Sequence, residues 1–153
     1  MISVSKNARQ FVVTDSDGYI SIVRNALKIR SRVRVGADIK QMVSVNSKLI
    51  VLQPKVIAFL TENKLSPGFC EIGNTVKEFV SMAIETFRAK QNYIYALTTE
   101  GSIAVFKYSL PGSGQQQNEC ELKSLITLPQ AFITPKIVIA SLRGSLLLQN
   151  QAN

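Results

Sequence analysis

The chain contains no histidine and no tryptophan, and only two cysteines. Without an imidazole there is no Ser-His-Asp or Cys-His relay, no side chain whose ordinary pKa suits a general base near neutrality, and none of the usual zinc sites. Cys70 and Cys120 stand 50 positions apart with no Cys-x-x-Cys spacing. That separation leaves a disulfide open, but a chain read as intracellular is expected to keep them as free thiols. Long apolar runs are also lacking. The longest, such as Leu49-Ile50-Val51-Leu52 and Val56-Ile57-Ala58-Phe59-Leu60, fall far short of the roughly 18 residues that span a bilayer, which predicts a soluble chain. The first nine residues carry no apolar core or small-residue cleavage site, so a cytoplasmic location is expected.

Acidic residues are scarce as well, ten against 18 Lys and Arg, for a net charge of +8. The imbalance is concentrated near the N-terminus. Up to residue 40 stand Lys6, Arg9, Arg24, Lys28, Arg30, Arg32, Arg34 and Lys40 against Asp15, Asp17 and Asp38, which favours an acidic partner for that third. The acids fall in or beside turns, with no spacing that forces two together. Asp15-Ser16-Asp17-Gly18 begins like a calcium loop, but Ala26 stands where the later glutamate is needed, so a hairpin turn is the reading. Gly112-Ser113-Gly114 lacks the Lys-Ser or Lys-Thr of a phosphate loop. No catalytic residue, metal or cofactor is expected, and the chain is read as a non-enzyme.

What is present is β-branched and aromatic residue in short, turn-bounded runs. Phe11-Val12-Val13-Thr14 and Tyr19-Ile20-Ser21-Ile22-Val23 flank a turn ending in Gly18. Tyr93-Ile94-Tyr95-Ala96-Leu97 and Ser102-Ile103-Ala104-Val105-Phe106 flank one ending in Gly101, and residues 137–140 and 146–148 flank one ending in Gly144. Each reads as a hairpin. Gln53-Pro54-Lys55 joins a fourth pair, residues 49–52 and 56–60, with proline setting φ.

A phrase also recurs. Ile39-Lys40-Gln41-Met42-Val43-Ser44-Val45 is echoed by Val76-Lys77-Glu78-Phe79-Val80-Ser81-Met82 and by Leu122-Lys123-Ser124-Leu125-Ile126-Thr127-Leu128, each copy preceding a hairpin. These repeats predict an all-β protein, a partial or small β-propeller of about four antiparallel blade units, forming a single domain over residues 1–153 with a flexible loop at 111–118. Apolar residues at spacings of three and four over 75–90 also fit a helix. The repeat favours strand there.

Lys28-Ile29-Arg30-Ser31-Arg32-Val33-Arg34-Val35 places a cation at every second position. On a strand that period puts Lys28, Arg30, Arg32 and Arg34 along one face, with Ile29, Val33 and Val35 on the other. Such a row can grip phosphates or an acidic protein surface, or it can simply keep an outer strand from pairing with another edge. Lys40, Lys77 and Lys123 read as the wet side of equivalent strands. Single-strand nucleic-acid binding by stacking needs aromatics among the cations, and this segment has none, so nucleic acid is the less favoured partner.

The rhythm of glycine hairpin (11–23), isoleucine-rich strand (39–45), second hairpin (49–60) and Leu65-Ser66-Pro67 exit, continued through 76–80, 93–108 and 122–129, resembles the citron-homology (CNH) type of β-propeller. It resembles especially the version at the N-terminus of vacuolar and endosomal tethering subunits of the HOPS and CORVET class. The resemblance covers residues 11–149. WD-repeat signatures are missing, and a complete propeller of this kind is nearly twice as long. The resemblance implies a non-catalytic protein-interaction module, a tethering or scaffolding subunit of a multiprotein complex in vesicle traffic. It would engage a small GTPase or an anionic membrane surface, working in the cytoplasm or peripherally on endosomal or vacuolar membranes. The alternative is a structural subunit of a large RNA-protein complex that touches phosphate backbone.

Overall fold

The computed structural model describes residues 2–4, 10–24, 28–36, 38–45, 48–61, 64–73, 78–85, 92–109, 119–129, 137–142 and 145–150, and every regular element among them is a strand. The first sheet is the meander β1 (Ile2–Val4), β2 (Gln10–Thr14), β3 (Tyr19–Arg24), β4 (Lys28–Arg34). A second is built in the same order from β5 (Gln41–Val45), β6 (Lys48–Leu52), β7 (Ile57–Thr61) and β8 (Lys64–Cys70). The third contains β9 (Phe79–Glu85), β10 (Asn92–Thr98), β11 (Ser102–Ser109) and β12 (Glu119–Thr127), and β13 (Ile137–Leu142) pairs with β14 (Ser145–Asn150) as a ribbon. All pairings are antiparallel and sequential.

The first strands lie beside one another, β1 by β5, β5 by β9 and β9 by β13, while the fourth strands β8 and β12 meet at the rim. Meanders stacked face to face with their first strands adjacent are propeller blades. The chain is all-β, with three four-stranded blades and a fourth unit of which two strands are described.

Stacking explains why the middle strands are apolar on both sides. On β6, Leu49 and Val51 face blade 1, where they meet Val12, Ile20, Ile22 and Val33. Ile50 and Leu52 face the other way with Ile57 and Phe59, against Phe79, Met82, Ile94, Ala96, Ala104, Phe106 and Tyr108 of blade 3. Leu49-Ile50-Val51-Leu52 is therefore a run rather than an alternation, and each side chain so buried contributes about 1.5–3 kcal/mol.

Residues 79–85 are strand, in register with β10 through Ile84 opposite Ile94 and Met82 opposite Ala96. The helical spacing there arises because both faces of β9 meet apolar neighbours, Met82 and Ile84 on blade 2 and Ala83 on the opposite side with Leu97. Residues 74–77 and 86–91, and the loop expected at 111–118, lie outside the described residues.

Two expectations are corrected. The third copy of the repeated phrase is not a first strand, because residues 122–127 belong to β12, the fourth strand of blade 3. Its true counterpart is β4. The Leu128 amide donates to the Gly101 carbonyl at 2.9 Å just as the Val35 amide donates to the Gly18 carbonyl at 2.9 Å, each tying the end of a fourth strand to the turn between strands two and three. An outer strand and an inner strand can share a composition because both read as alternation. Only burial separates them, and residues 121–127 are exposed where Met42, Val45, Phe79 and Met82 are buried.

The second correction is that Cys70 and Cys120 are joined in a disulfide, with Cα atoms 5.4 Å apart. Cys70 pairs with Ile57 and shares the face that blade 2 turns to blade 3. Cys120 pairs with Tyr108 on the face that blade 3 turns to blade 2. Face-to-face stacking brings together two sulfurs that sequence distance kept apart.

The link from blade 1 to blade 2 turns at Gly36, with φ of +109°, and Asp38, with φ of 64°. The Gln53 Nε2 donates to the Val35 carbonyl at 3.3 Å, and a Cβ on Gly36 would stand 3.2 Å from that nitrogen. Gly36→Ala meets both a disfavoured backbone and a crowded donor, so it should destabilise the chain by about 1–2 kcal/mol. The midpoint of urea denaturation checks this.

Candidate binding surface

The cationic segment 28–34 forms β4, the outer strand of blade 1. Its pairing with β3 begins as Arg24 opposite Lys28 and Val23 opposite Ile29, then shifts by one residue, so that Ser31 lies opposite Ile22, Arg32 opposite Ser21, Val33 opposite Ile20 and Arg34 opposite Tyr19. Arg30 is the extra residue of a β-bulge. An unbroken ladder would have set Arg32 opposite Ile20, on the face that blade 1 buries against blade 2. The shift puts Val33 there instead, where it packs with Met42, Leu49 and Val51, and sends Arg32 and Arg34 to the opposite, exposed face. Partial burial of the valine and exclusion of two guanidiniums from an apolar layer are reason enough for the bulge. Its cost is visible at Ile29, which is 62% exposed.

The uniform stripe expected from sequence is thus divided at Arg30. Arg32 and Arg34 share a face, and Lys28 lies on the far side of the register shift. The side chains of Lys28 and Arg30 lie outside the described residues.

The structure supplies two partners that the alternation alone did not reveal. Asp15 opens the β2–β3 turn, and its Oδ1 accepts the amides of Asp17 at 3.1 Å and Tyr19 at 2.9 Å. Its Oδ2 accepts Arg32 Nη2 at 2.7 Å. The carboxyl is held below the usual carboxylate range, chiefly by the Tyr19 amide and also by Arg32, against the desolvation that opposes them. Arg32 lies over the Tyr19 ring with its guanidinium carbon 4.2 Å from the centroid, and that of Arg34 is 5.9 Å away. Arg32 is therefore engaged twice, by a carboxylate and by a π face. Among the described residues no carboxylate is paired with Arg34, which is exposed on a strand whose end is anchored at Gly18. Chemically, the cluster offers one pre-oriented guanidinium beside a second already partly neutralised, suited to a carboxylate or phosphate oxygen at the surface.

The repeated lysines Lys40 and Lys123 belong to different blades. Lys40 is exposed ahead of β5, Lys123 is the extra residue of a second bulge and pairs with Glu121, and Lys77 lies outside the described residues. Glu85 accepts the Tyr95 hydroxyl at 2.9 Å on blade 3, where desolvation first and Glu85 second push the phenol up to about 12.

No family model matches this chain, and comparison with curated proteins finds no match. Among solved structures, the N-terminal domain of Nup159 is similar at a TM-score of 0.41 and 11% identity, over 98% of this chain and 60% of that one. The chain thus spans 60% of the length of that structure.

Proposed function

We propose that this chain is a non-catalytic interaction module, and that the exposed face of β4 in blade 1, beside Tyr19 of β3, receives an acidic partner through Arg34. The observation that carries this is the division of labour on that face: Arg32 is held by Asp15 and Tyr19, while Arg34 beside it has no carboxylate partner among the described residues. Blade stacking is a scaffold that presents loops and outer faces rather than a cleft, which suits a subunit of a multiprotein assembly. The resemblance to CNH propellers narrows the reading to a tethering subunit of vesicle traffic, with a small GTPase or an anionic membrane surface as the acidic partner.

The test is Arg34→Glu against vesicles containing anionic lipid and against neutral vesicles, at two salt concentrations. A charge reversal at an exposed contact should weaken binding about fivefold at low salt and flatten the salt dependence, with the unfolding midpoint unchanged. Arg32→Gln is the contrasting variant, since it removes a charge that Asp15 already compensates and leaves the Asp15 bonds to the Asp17 and Tyr19 amides in place, so it should weaken binding less than Arg34→Glu. Unchanged affinity and salt slope in Arg34→Glu would take this face out of the site. Binding that follows the nucleotide state of a GTPase supports the narrower reading. A salt slope rising with RNA phosphate contacts would support the RNA-protein alternative instead.

A further inference from the structure

We propose that the Cys70–Cys120 disulfide is a thiol-operated clamp on the wedge between blades 2 and 3. This bond joins the two fourth strands, β8 and β12, which meet at the outer rim of the layer between blades 2 and 3. It also marks a boundary between dry and wet. Cys70 is buried at 1% exposure, Tyr108 lies just inside, buried at 2% and stacked on Phe59 at 5.7 Å, and the paired residue Cys120 is half-buried. Beyond Cys120 on the same face of β12, Leu122 and Leu125 are 41% and 40% exposed. The inter-blade layer closes at the disulfide and is open past it.

A second, independent observation concerns the residue paired with Cys120. The Tyr108 hydroxyl is buried without a hydrogen-bond partner among the described residues. A closed wedge leaves that oxygen dehydrated and unpaired, whereas an opened one lets water reach it. The clamp therefore holds shut a layer that contains a built-in reason to part.

Opening follows thiol-disulfide exchange with a dithiol reductant. One thiolate of the reductant attacks Sγ of Cys120, the more accessible sulfur, forming a mixed disulfide as the Cys70 thiolate leaves and takes up a proton. The second thiol of the reductant displaces Cys120, which leaves as a thiolate and is protonated. The reductant ends as a disulfide, having supplied two electrons, and the chain holds two thiols.

Hydrogen exchange on the full chain, before and after treatment with dithiothreitol, tests the clamp. Amides of β8 and β12 should lose at least tenfold more protection than those of β2 and β3, and the Cys70→Ser, Cys120→Ser double variant should show the reduced pattern without reductant. Tyr108→Phe should shrink the differential severalfold, because it removes the dehydrated hydroxyl. An equal loss in all blades, or none, would overturn the proposal, as would two titratable thiols in the air-oxidised chain. A differential unaltered by Tyr108→Phe would overturn the role given to the hydroxyl. Because reduction is performed on the folded wild-type chain, failure of the double variant to fold leaves the test intact.

Discussion

Truncating Phe59 to alanine should cost about 3–5 kcal/mol, the range for deleting a fully buried aromatic. Phe59 is 1% exposed on β7, in register with Ile50, and it stacks on Tyr108 across the interface of blades 2 and 3. The upper half of the range is expected because the cavity cannot easily collapse. One wall belongs to another blade, and the Cys70–Cys120 bond holds the two blades at their rim. Ile29→Ala provides the contrast, since a side chain 62% exposed should move stability by no more than about 0.5 kcal/mol. Urea denaturation of both variants settles the matter. A loss under 1 kcal/mol for Phe59→Ala would mean that the interface between blades 2 and 3 is not the packed layer described.

Gln41→Leu should be the next most damaging change, at about 1–3 kcal/mol, although it adds apolar surface and leaves the strand pattern intact. The Gln41 side chain reaches from β5 to the neighbouring first strand, accepting the Met82 amide at 2.7 Å and donating to the Met82 carbonyl at 3.0 Å. β9 pairs with β10 on one side only, so those two groups of Met82 point away from its sheet toward blade 2. A primary amide has the same donor and acceptor as a peptide, and here it serves as a one-residue strand. Leucine would leave both Met82 groups unpaired in a partly buried setting. Gln41→Glu should be milder at acid pH, where the protonated acid still accepts the Met82 amide and donates to the Met82 carbonyl, whereas at neutral pH its second oxygen repels that carbonyl. The two variants, compared by denaturation and by exchange of the Met82 amide, should rank in that order. Equal stability of Gln41→Leu and wild type would show the bridge to be incidental.

Gln41 also illustrates how little of a polar contact can be read along a chain. In the repeated phrase it stands where the next copy has Glu78, and nothing in Lys40-Gln41-Met42 marks it as a link to a residue 41 positions away. The hairpins were legible because each is local: Asp15 to Gly18 and Thr98 to Gly101 supply capping oxygens and a glycine of positive φ, at 78° and 72°, between two β-branched runs. The fourth strands were less legible. β8 includes Pro67, tolerated because an outer edge does not need every amide, and β12 shares the composition of an inner strand, with no mark of its exposure.

For the candidate surface, the period of cations over residues 28–34 was visible, but the face they occupy was not. Counting back from Arg24 opposite Lys28 with no bulge would put Tyr19 opposite Val33 and hide Arg32 in the layer between blades 1 and 2. The shift at Arg30 reverses both outcomes. A bulge is chosen by the difference between two whole packings, with Val33 or a guanidinium set against the apolar layer, and no window of local sequence contains that comparison.

Residues and their neighbours along the chain dictate strands rather than helices, the positions of four tight hairpins, a basic N-terminal segment, and blades with apolar middle strands. Packing between blades sets which face of β4 meets solvent, which of its cations is already engaged, which copy of the repeat lies outermost, and that two cysteines in different blades meet. One cause underlies all four. Each is settled by what lies across an interface, where burial, desolvation and register are shared between segments that the chain connects only distantly.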